Sequence, residues 1–363
     1  MTPMSDKIFF SYATVAPLCS ESFEAVQTYL QEFYTYGPPD VLYKYDPLVD
    51  ELANEVAALI NCRPNEVTYV KNTTDGINIA ADVIPFDQGD EIIVAANEYP
   101  ANLLPWLKKR RDGLTVTTIP GTDSAETFER LINSVGTRTR VVAVSSTQYY
   151  DGYRGDMARL AVRCHENGAY LFVDAVQTIG VRQFDVQTIG ADFVVCGGQK
   201  YLQAGPGSGF LYVSRQRMAE LRHTRLGIRS MQHFTDDAYT LKPGAARFQD
   251  GTLNLPGIVA LHAALKRING TGMATIESRN LDLLQLIKDQ LRQRTIRFID
   301  HGDRHGNIVS MLVDDPKALV DYLRDQNIFI KQIKDVARLS FNYQTTDADI
   351  YKLADAIGSW QTR

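Results

Sequence analysis

Cysteine is scarce in this chain. Cys19, Cys62, Cys164 and Cys196 are the only four, spaced too widely for a zinc motif or a disulfide framework. A reduced, cytoplasmic setting is therefore the expectation. No apolar run reaches the roughly 18 residues that span a bilayer, and the start, Met1 to Lys7, lacks the charged and apolar regions of a signal peptide. Basic residues cluster only at Lys108-Lys109-Arg110-Arg111, which reads as the solvated end of a helix. With a net charge of −5, nucleic acid is not an expected partner, and neither is a membrane. Repeats, low-complexity tracts and flexible linkers are also missing. What is left is an ordinary globular composition over 363 residues, enough for one large domain and a smaller one.

The order of elements supports that division. A short extended segment at Ile8 to Ala13 leads into helices at Ser20 to Thr35 and from Pro47 to about Asn61, the latter marked by Leu48, Leu52, Val56, Leu59 and Ile60 at helical spacing. Strand Val67 to Val70 runs through a Thr-rich turn into a helix from Ile77. Strands at 91–95, 114–119, 140–145, 170–174, 192–196 and 209–213 then follow, most of them separated by helical stretches, including a single helix from Ala101 to Arg111. These strands are Val-, Ile- and Phe-rich without clean alternation, which predicts a mostly parallel sheet covered on both faces. The expected fold class is α/β, with a large domain over 16–250. A smaller α+β domain is expected over 251–363, joined by the N-terminal segment 1–15. In it, Pro256 opens a helix and Thr346 with Asp349 caps the last one.

Four strand ends carry chemistry. Ala191-Asp192-Phe193-Val194-Val195-Cys196 is a core strand that breaks at Gly197-Gly198 and delivers Lys200. A buried ammonium without a partner is costly, and an imine with an aldehyde cofactor removes the charge. Thr73-Thr74-Asp75-Gly76 sits between a strand and a helix, and reads either as a phosphate cradle or as a plain N-cap. Asp174 ends the strand Tyr170 to Asp174. It reads either as the partner of a pyridine nitrogen, with Gln177 near the ring's phenolic oxygen, or as a cap for the next turn. Tyr99 reads as a ring stacked on a cofactor or as core filling. A phosphate cradle, an aromatic face, Asp-x-x-Gln and a lysine, in that chain order, are what pyridoxal 5'-phosphate (PLP) requires in fold-type I enzymes.

With these residues in place, the sequence resembles the class V aminotransferase family, which includes cysteine desulfurases, selenocysteine lyase, cysteine and cystine C–S lyases and isopenicillin-N epimerase. The resemblance runs from Phe9 to about Trp360. Its most specific parts are Asn72-Thr73-Thr74-Asp75-Gly76-Ile77-Asn78, Val173-Asp174-Ala175-Val176-Gln177, Gly197-Gly198-Gln199-Lys200-Tyr201-Leu202, Arg247-Phe248-Gln249-Asp250-Gly251-Thr252 and Ala337-Arg338-Leu339-Ser340. It implies that Lys200 holds PLP and then moves protons at Cα, with Asp174 on the ring nitrogen and Gln177 on the phenolic oxygen. Thr73 and Thr74 fall to the phosphate, and Gln199 is a further cofactor-binding candidate. Thr252 is implied to reach the neighbouring site of a homodimer. Arg338 is implied to clamp the α-carboxylate of an amino-acid substrate. Gln148 and Tyr149, in a loop over the cofactor, are candidates for ring or substrate contact, Tyr149 also as a catalytic group. Tyr12 is a further substrate-binding candidate, and either Arg229 or His233 is a candidate to reach the site.

Three departures narrow the activity. Tyr99 stands where many relatives stack a histidine, and Gly197 and Gln199 stand where desulfurases have serine and histidine. The loop before Arg338, Ile330-Lys331-Gln332-Ile333-Lys334-Asp335-Val336-Ala337, has no cysteine to take up sulfur. The expectation is a β-eliminating C–S lyase that forms no persulfide on the protein, with an epimerase or an aminotransferase as alternatives. A binding or scaffold relative would have lost Lys200 or Asp174, and both are present. No metal is expected.

Overall fold

Alternation along the central strands decides the architecture. The computed structural model describes residues 6–362, and among these the largest sheet has seven strands. Their spatial order is Val67–Tyr69, Gly209–Val213, Phe193–Gly197, Tyr170–Asp174, Thr139–Ser145, Glu91–Ala95 and Thr115–Ile119. Successive side chains point to opposite faces, and both faces are buried. Ile93, Val142, Leu171, Val173 and Val194 join one core with the helices Ser20–Tyr36, Leu48–Ile60 and Leu255–Thr271. Ile92, Val141, Phe172, Phe193 and Val195 join the other, beneath the helix Thr73–Val83 and Trp106. Each such side chain contributes about 1.5–3 kcal/mol on burial. That is why these strands show no polar alternation.

All neighbours from Phe193–Gly197 to Thr115–Ile119 pair in parallel, and only Gly209–Val213 runs against both of its neighbours. Its connection from Phe193–Gly197 contains no helix. The chain therefore turns straight back, using left-handed conformations at Gly205 and Gly207. Parallel strands all end at one edge, and that edge receives Asp174, the Glu98-Tyr99 turn and the loop after Ser145.

A second, antiparallel sheet has the order Arg297–Phe298, Ile308–Leu312, Val336–Ser340 and Lys331–Ile333, so Lys331–Ile333 is an edge strand. Ala337 and Leu339 face its core, with Leu283, Leu323 and Leu353 from the covering helices. The N-terminal segment belongs here by packing. Ile8–Phe9 pairs in parallel with Ile328–Phe329, and Phe10 is fully buried in this core. Thr346 and Asp349 form the expected capping box.

Several sequence expectations need adjusting. The division between the two cores does not fall at 251. The helix Leu255–Thr271 packs in the first core, and the change comes within Met273–Gln293, where Ile276 packs in the first core and Leu283 in the second. The expected helix 101–111 is broken into Pro100–Asn102, Leu104–Lys108 and Lys109–Asp112, since Pro105 has no N–H to continue the ladder. A helix at Pro38–Tyr45 and a hairpin of Met231–Phe234 with Tyr239–Leu241 are additional elements. No helix among the described residues is long and apolar enough to cross a membrane.

Candidate active site

The sheet edge and the second sheet enclose a cavity of about 430 Å³. One end is built by the large unit. The helix Thr73–Val83 begins at Thr73, four residues before its expected start, and Asn72 rather than Thr74 or Asp75 is its cap, accepting from the Asp75 N–H at 2.9 Å. Thr73 and Thr74 therefore occupy the first turn, where backbone N–H groups have no helical acceptor and favour an anion. Both line the cavity, as does Gln199. A Cβ placed on Gly197 would collide with the Gln199 amide oxygen and come within 2.8 Å of Thr73 Oγ1. Glycine at this position keeps those two groups free to face a ligand.

Lys200 and Asp174 line the same cavity and interact with each other. Asp174 is 4% exposed, and one of its carboxylate oxygens accepts from the Val176 N–H at 3.0 Å. Burial pushes its pKa up, while the nearby Lys200 opposes that shift. Burial acts on Lys200 in the opposite sense and lowers its pKa from 10.5 to about 8, with Asp174 pulling it back up and Arg338 adding to the drop. Roughly 300-fold more neutral amine is then present at pH 7 than at an ordinary lysine. Only the neutral amine attacks an aldehyde. The rate at which cofactor-free protein takes up PLP should therefore rise through a midpoint near pH 8, followed by absorbance between pH 6 and 10. A midpoint near 10.5 would show that the site does not depress this lysine.

Arg338 lines the cavity too. It is 2% exposed, and its guanidinium donates to the Tyr149 backbone oxygen at 2.6 Å and to Thr14 Oγ1 at 2.8 Å. Both acceptors are neutral, and no carboxylate pairs with it among the described residues. Buried charges ordinarily have partners. Tyr149 and Tyr99 meet edge to face with centroids 5.2 Å apart, and the Lys200 ammonium lies 5.6 Å from the Tyr99 ring centre. Tyr99 is 49% exposed, so it is a cavity wall and not core filling.

Glu98 was not singled out from the sequence. It is buried behind the two tyrosines, accepting from the Ser145 N–H at 2.7 Å, Gln148 Nε2 at 2.9 Å, Asn102 Nδ2 at 3.1 Å and the Ser145 hydroxyl. Burial raises its pKa, and no cation among the described residues pairs with it. Through these bonds it ties the turn bearing Tyr99 to the loop bearing Tyr149. Its sequence signal was an acid at a strand end, four residues before an asparagine that it binds. The same loop is held against the second unit, where the Gly306 N–H donates to the Gly152 backbone oxygen at 2.8 Å. Gly152 has φ +78° there, and a side chain would strike the Ile308 carbonyl.

Five candidates lie elsewhere. Tyr12 is stacked with Tyr201 in a buried cluster, and its neighbours Ala13 and Thr14 line the cavity instead. The three residues form a turn, closed by the Thr14 N–H donating to the Ser11 carbonyl at 3.0 Å, and it is the following two that face the cavity. Gln148 is bound to Glu98 behind the wall and does not line the cavity. His233 lies on the exposed hairpin, and Arg229 is paired with Asp46 at 2.7 Å. Thr252 is exposed and away from the cavity.

The free polar atoms test whether PLP suits this cavity. Thr73 Oγ1, Gln177 Oε1, Gln199 Oε1 and Arg338 Nε are buried without a hydrogen-bond partner, and all four residues line it. Such atoms are rare in a folded core, and their concentration here fits a polar ligand with an anionic end. Rotating either amide presents a donor in place of the acceptor. The family model described as Aminotransferase class-V matches residues 8–353. The chain belongs to the class V aminotransferase family. A probable cysteine desulfurase of Methanothermobacter thermautotrophicus is 29% identical over 84% of this chain and 76% of its own length. A structure of the cystine C–S lyase C-DES with its reaction product, cysteine persulfide, matches with a TM-score of 0.90 at 23% identity, covering 98% of each chain. A variant of C-DES with glycine covalently linked to its PLP cofactor matches with the same TM-score and identity, covering 98% of this chain and 97% of that one. As a class V aminotransferase the chain has the α/β architecture of fold type I and is a PLP-dependent enzyme.

Proposed function

We propose that this class V enzyme is a C–S lyase that eliminates a sulfur-bearing β-substituent from an amino acid, without taking sulfur onto the protein. The observation that carries the reading is the hairpin before Arg338. Lys331 and Ile333 are its contributions to the cavity, and no cysteine stands on the wall. None of the four cysteines of the chain lines it, and Cys19, Cys164 and Cys196 are buried. Sulfur then leaves as a small molecule. The named relatives support an activity at a C–S bond.

The residues divide the work. Thr73, Thr74 and Gln199 would hold the phosphate, Asp174 the ring nitrogen, Gln177 the phenolic oxygen and Lys200 the aldehyde carbon. When bound, the cofactor supplies an electron sink for the pair left at Cα. Arg338 orients the substrate by its α-carboxylate. Lys200 Nζ accepts the Cα proton, and its lowered pKa leaves it able to do so near neutral pH. Tyr149, whose phenol burial keeps protonated, donates a proton at the departing sulfur. The wall of Tyr99 and Tyr149 limits access of water to this face.

Tyr149 also favours a second reading. A proton donor on the wall, if it lies on the face opposite Lys200, would permit epimerisation at Cα. Incubation of the PLP-loaded enzyme with cysteine and its S-substituted derivatives in deuterated water separates the two. Elimination releases a 2-oxo acid, ammonia and a thiol or sulfide. Deuterium at Cα with no such release would reject the lyase and favour the epimerase.

A homodimer belongs to the same proposal. Tyr43, Ile228, Phe234 and Tyr239 are exposed apolar side chains on the helix Pro38–Tyr45 and the 228–241 segment. The Arg229–Asp46 pair joins these two segments. Thr252 and His233, away from the cavity of their own chain, would act at the neighbouring one.

A further inference from the structure

Four charged side chains line the cavity, and three have tasks. Asp174 and Lys200 serve the cofactor, and Arg338 serves the α-carboxylate. Lys331 is left over. It is exposed at the cavity rim and makes no ion pair or hydrogen bond among the described residues. Its position is set by the register of the edge strand. Lys331 lies directly opposite Arg338 in the antiparallel pairing, so both side chains are on one face, with Cβ atoms about 5 Å apart. Ile333, two residues on, lines the same cavity. The other polar groups of the hairpin are engaged elsewhere. Gln332 donates to the Lys334 carbonyl at 3.1 Å, Asp335 accepts from the Tyr150 hydroxyl at 2.7 Å, and the Lys334 ammonium lies over the Tyr150 ring at 5.3 Å.

Like charges directly opposite across a strand pair repel. An edge strand often carries a lysine to discourage further pairing, but this one projects to the cavity side beside an already unpaired guanidinium. The repulsion is relieved if the ligand brings two negative charges to that wall. We propose that the substrate is an amino acid whose side chain itself ends in an acid, a carboxylate or a sulfonate, and that Lys331 binds that group while Arg338 holds the α-carboxylate. Lys331 is then a specificity-determining residue. The proposal rests on the reading of Arg338 as the α-carboxylate clamp.

Unreactive acids test it on the PLP-loaded enzyme, with dissociation constants measured by calorimetry. Propionate offers one carboxylate, succinate adds a second, and 3-sulfopropionate adds a sulfonate. At least one of the two diacids should bind wild type 10-fold or more tightly than propionate, and the better one identifies the acid. In Lys331→Met that preference should shrink to within twofold, with propionate affinity and the cofactor's absorbance unchanged. Equal binding of all three acids by wild type, or a preference that survives in Lys331→Met, overturns this inference and leaves the Arg338 clamp standing. If none binds, or if Arg338→Gln leaves propionate affinity intact, the clamp reading falls and this one falls with it. Loss of PLP from Lys331→Met would assign the lysine to the cofactor and also overturn the proposal.

Discussion

Lys200→Ala should purify without the visible absorbance band that the wild-type enzyme shows, and with no measurable turnover. The argument is one of inventory. Two lysines line the cavity, and only Lys200 stands beside Asp174 in the buried part, where its pKa falls to about 8. Lys331 is exposed at the rim. Loss of the base at Cα alone removes about 10²–10⁴-fold in rate, before the loss of covalent attachment is counted. Borohydride reduction of the loaded wild type, followed by peptide mass analysis, should find the cofactor on the peptide containing Lys200. An adduct on Lys331, or a coloured Lys200→Ala protein, would overturn the assignment.

Arg338→Met should lower kcat/KM by about 10²–10³-fold, while the melting temperature of the cofactor-free protein holds or rises. Truncating one side of a desolvated charge pair costs about 2–5 kcal/mol in binding. The folded chain itself gains nothing comparable from this arginine, because among the described residues it meets only two neutral acceptors. Replacing a buried charge by an apolar side chain of similar size is often neutral or stabilising. A purely structural arginine would show the reverse pattern, a fall in melting temperature with activity per folded molecule retained. Arg338→Lys should recover little, since an ammonium cannot reproduce the two-pronged geometry.

The chemistry of the site was readable where it coincided with the ends of fully apolar strands. Asp174 and Lys200 interrupt runs of Val and Phe, and a charge in that setting has few structural explanations. The parallel order of the sheet then placed them together. Legibility failed where position depended on rotation or on distant partners. Nothing local distinguishes Tyr12 from Thr14, and the difference arises because Tyr12 stacks on Tyr201 while Thr14 accepts from Arg338, both from remote parts of the chain. Gln148 looked available because Glu98, its acceptor, is 50 positions away in sequence. The boundary at 251 followed a change in pattern, whereas the helix Leu255–Thr271 returns to pack on Ser20–Tyr36 and Leu48–Ile60. The hairpin strand Lys331–Ile333 is too short for periodicity to mark it.

That edge strand bears on how such an enzyme can change over generations. The cofactor end of the cavity is built from central strands of the large sheet, where any alteration disturbs neighbours on both sides. The end proposed for the substrate hangs on a three-residue strand hydrogen-bonded to a single neighbour. Insertions and substitutions there leave every other ladder intact. A lineage can therefore exchange substrates by rewriting a few codons around Lys331 and Ile333, while the inherited machinery for holding PLP passes on unaltered.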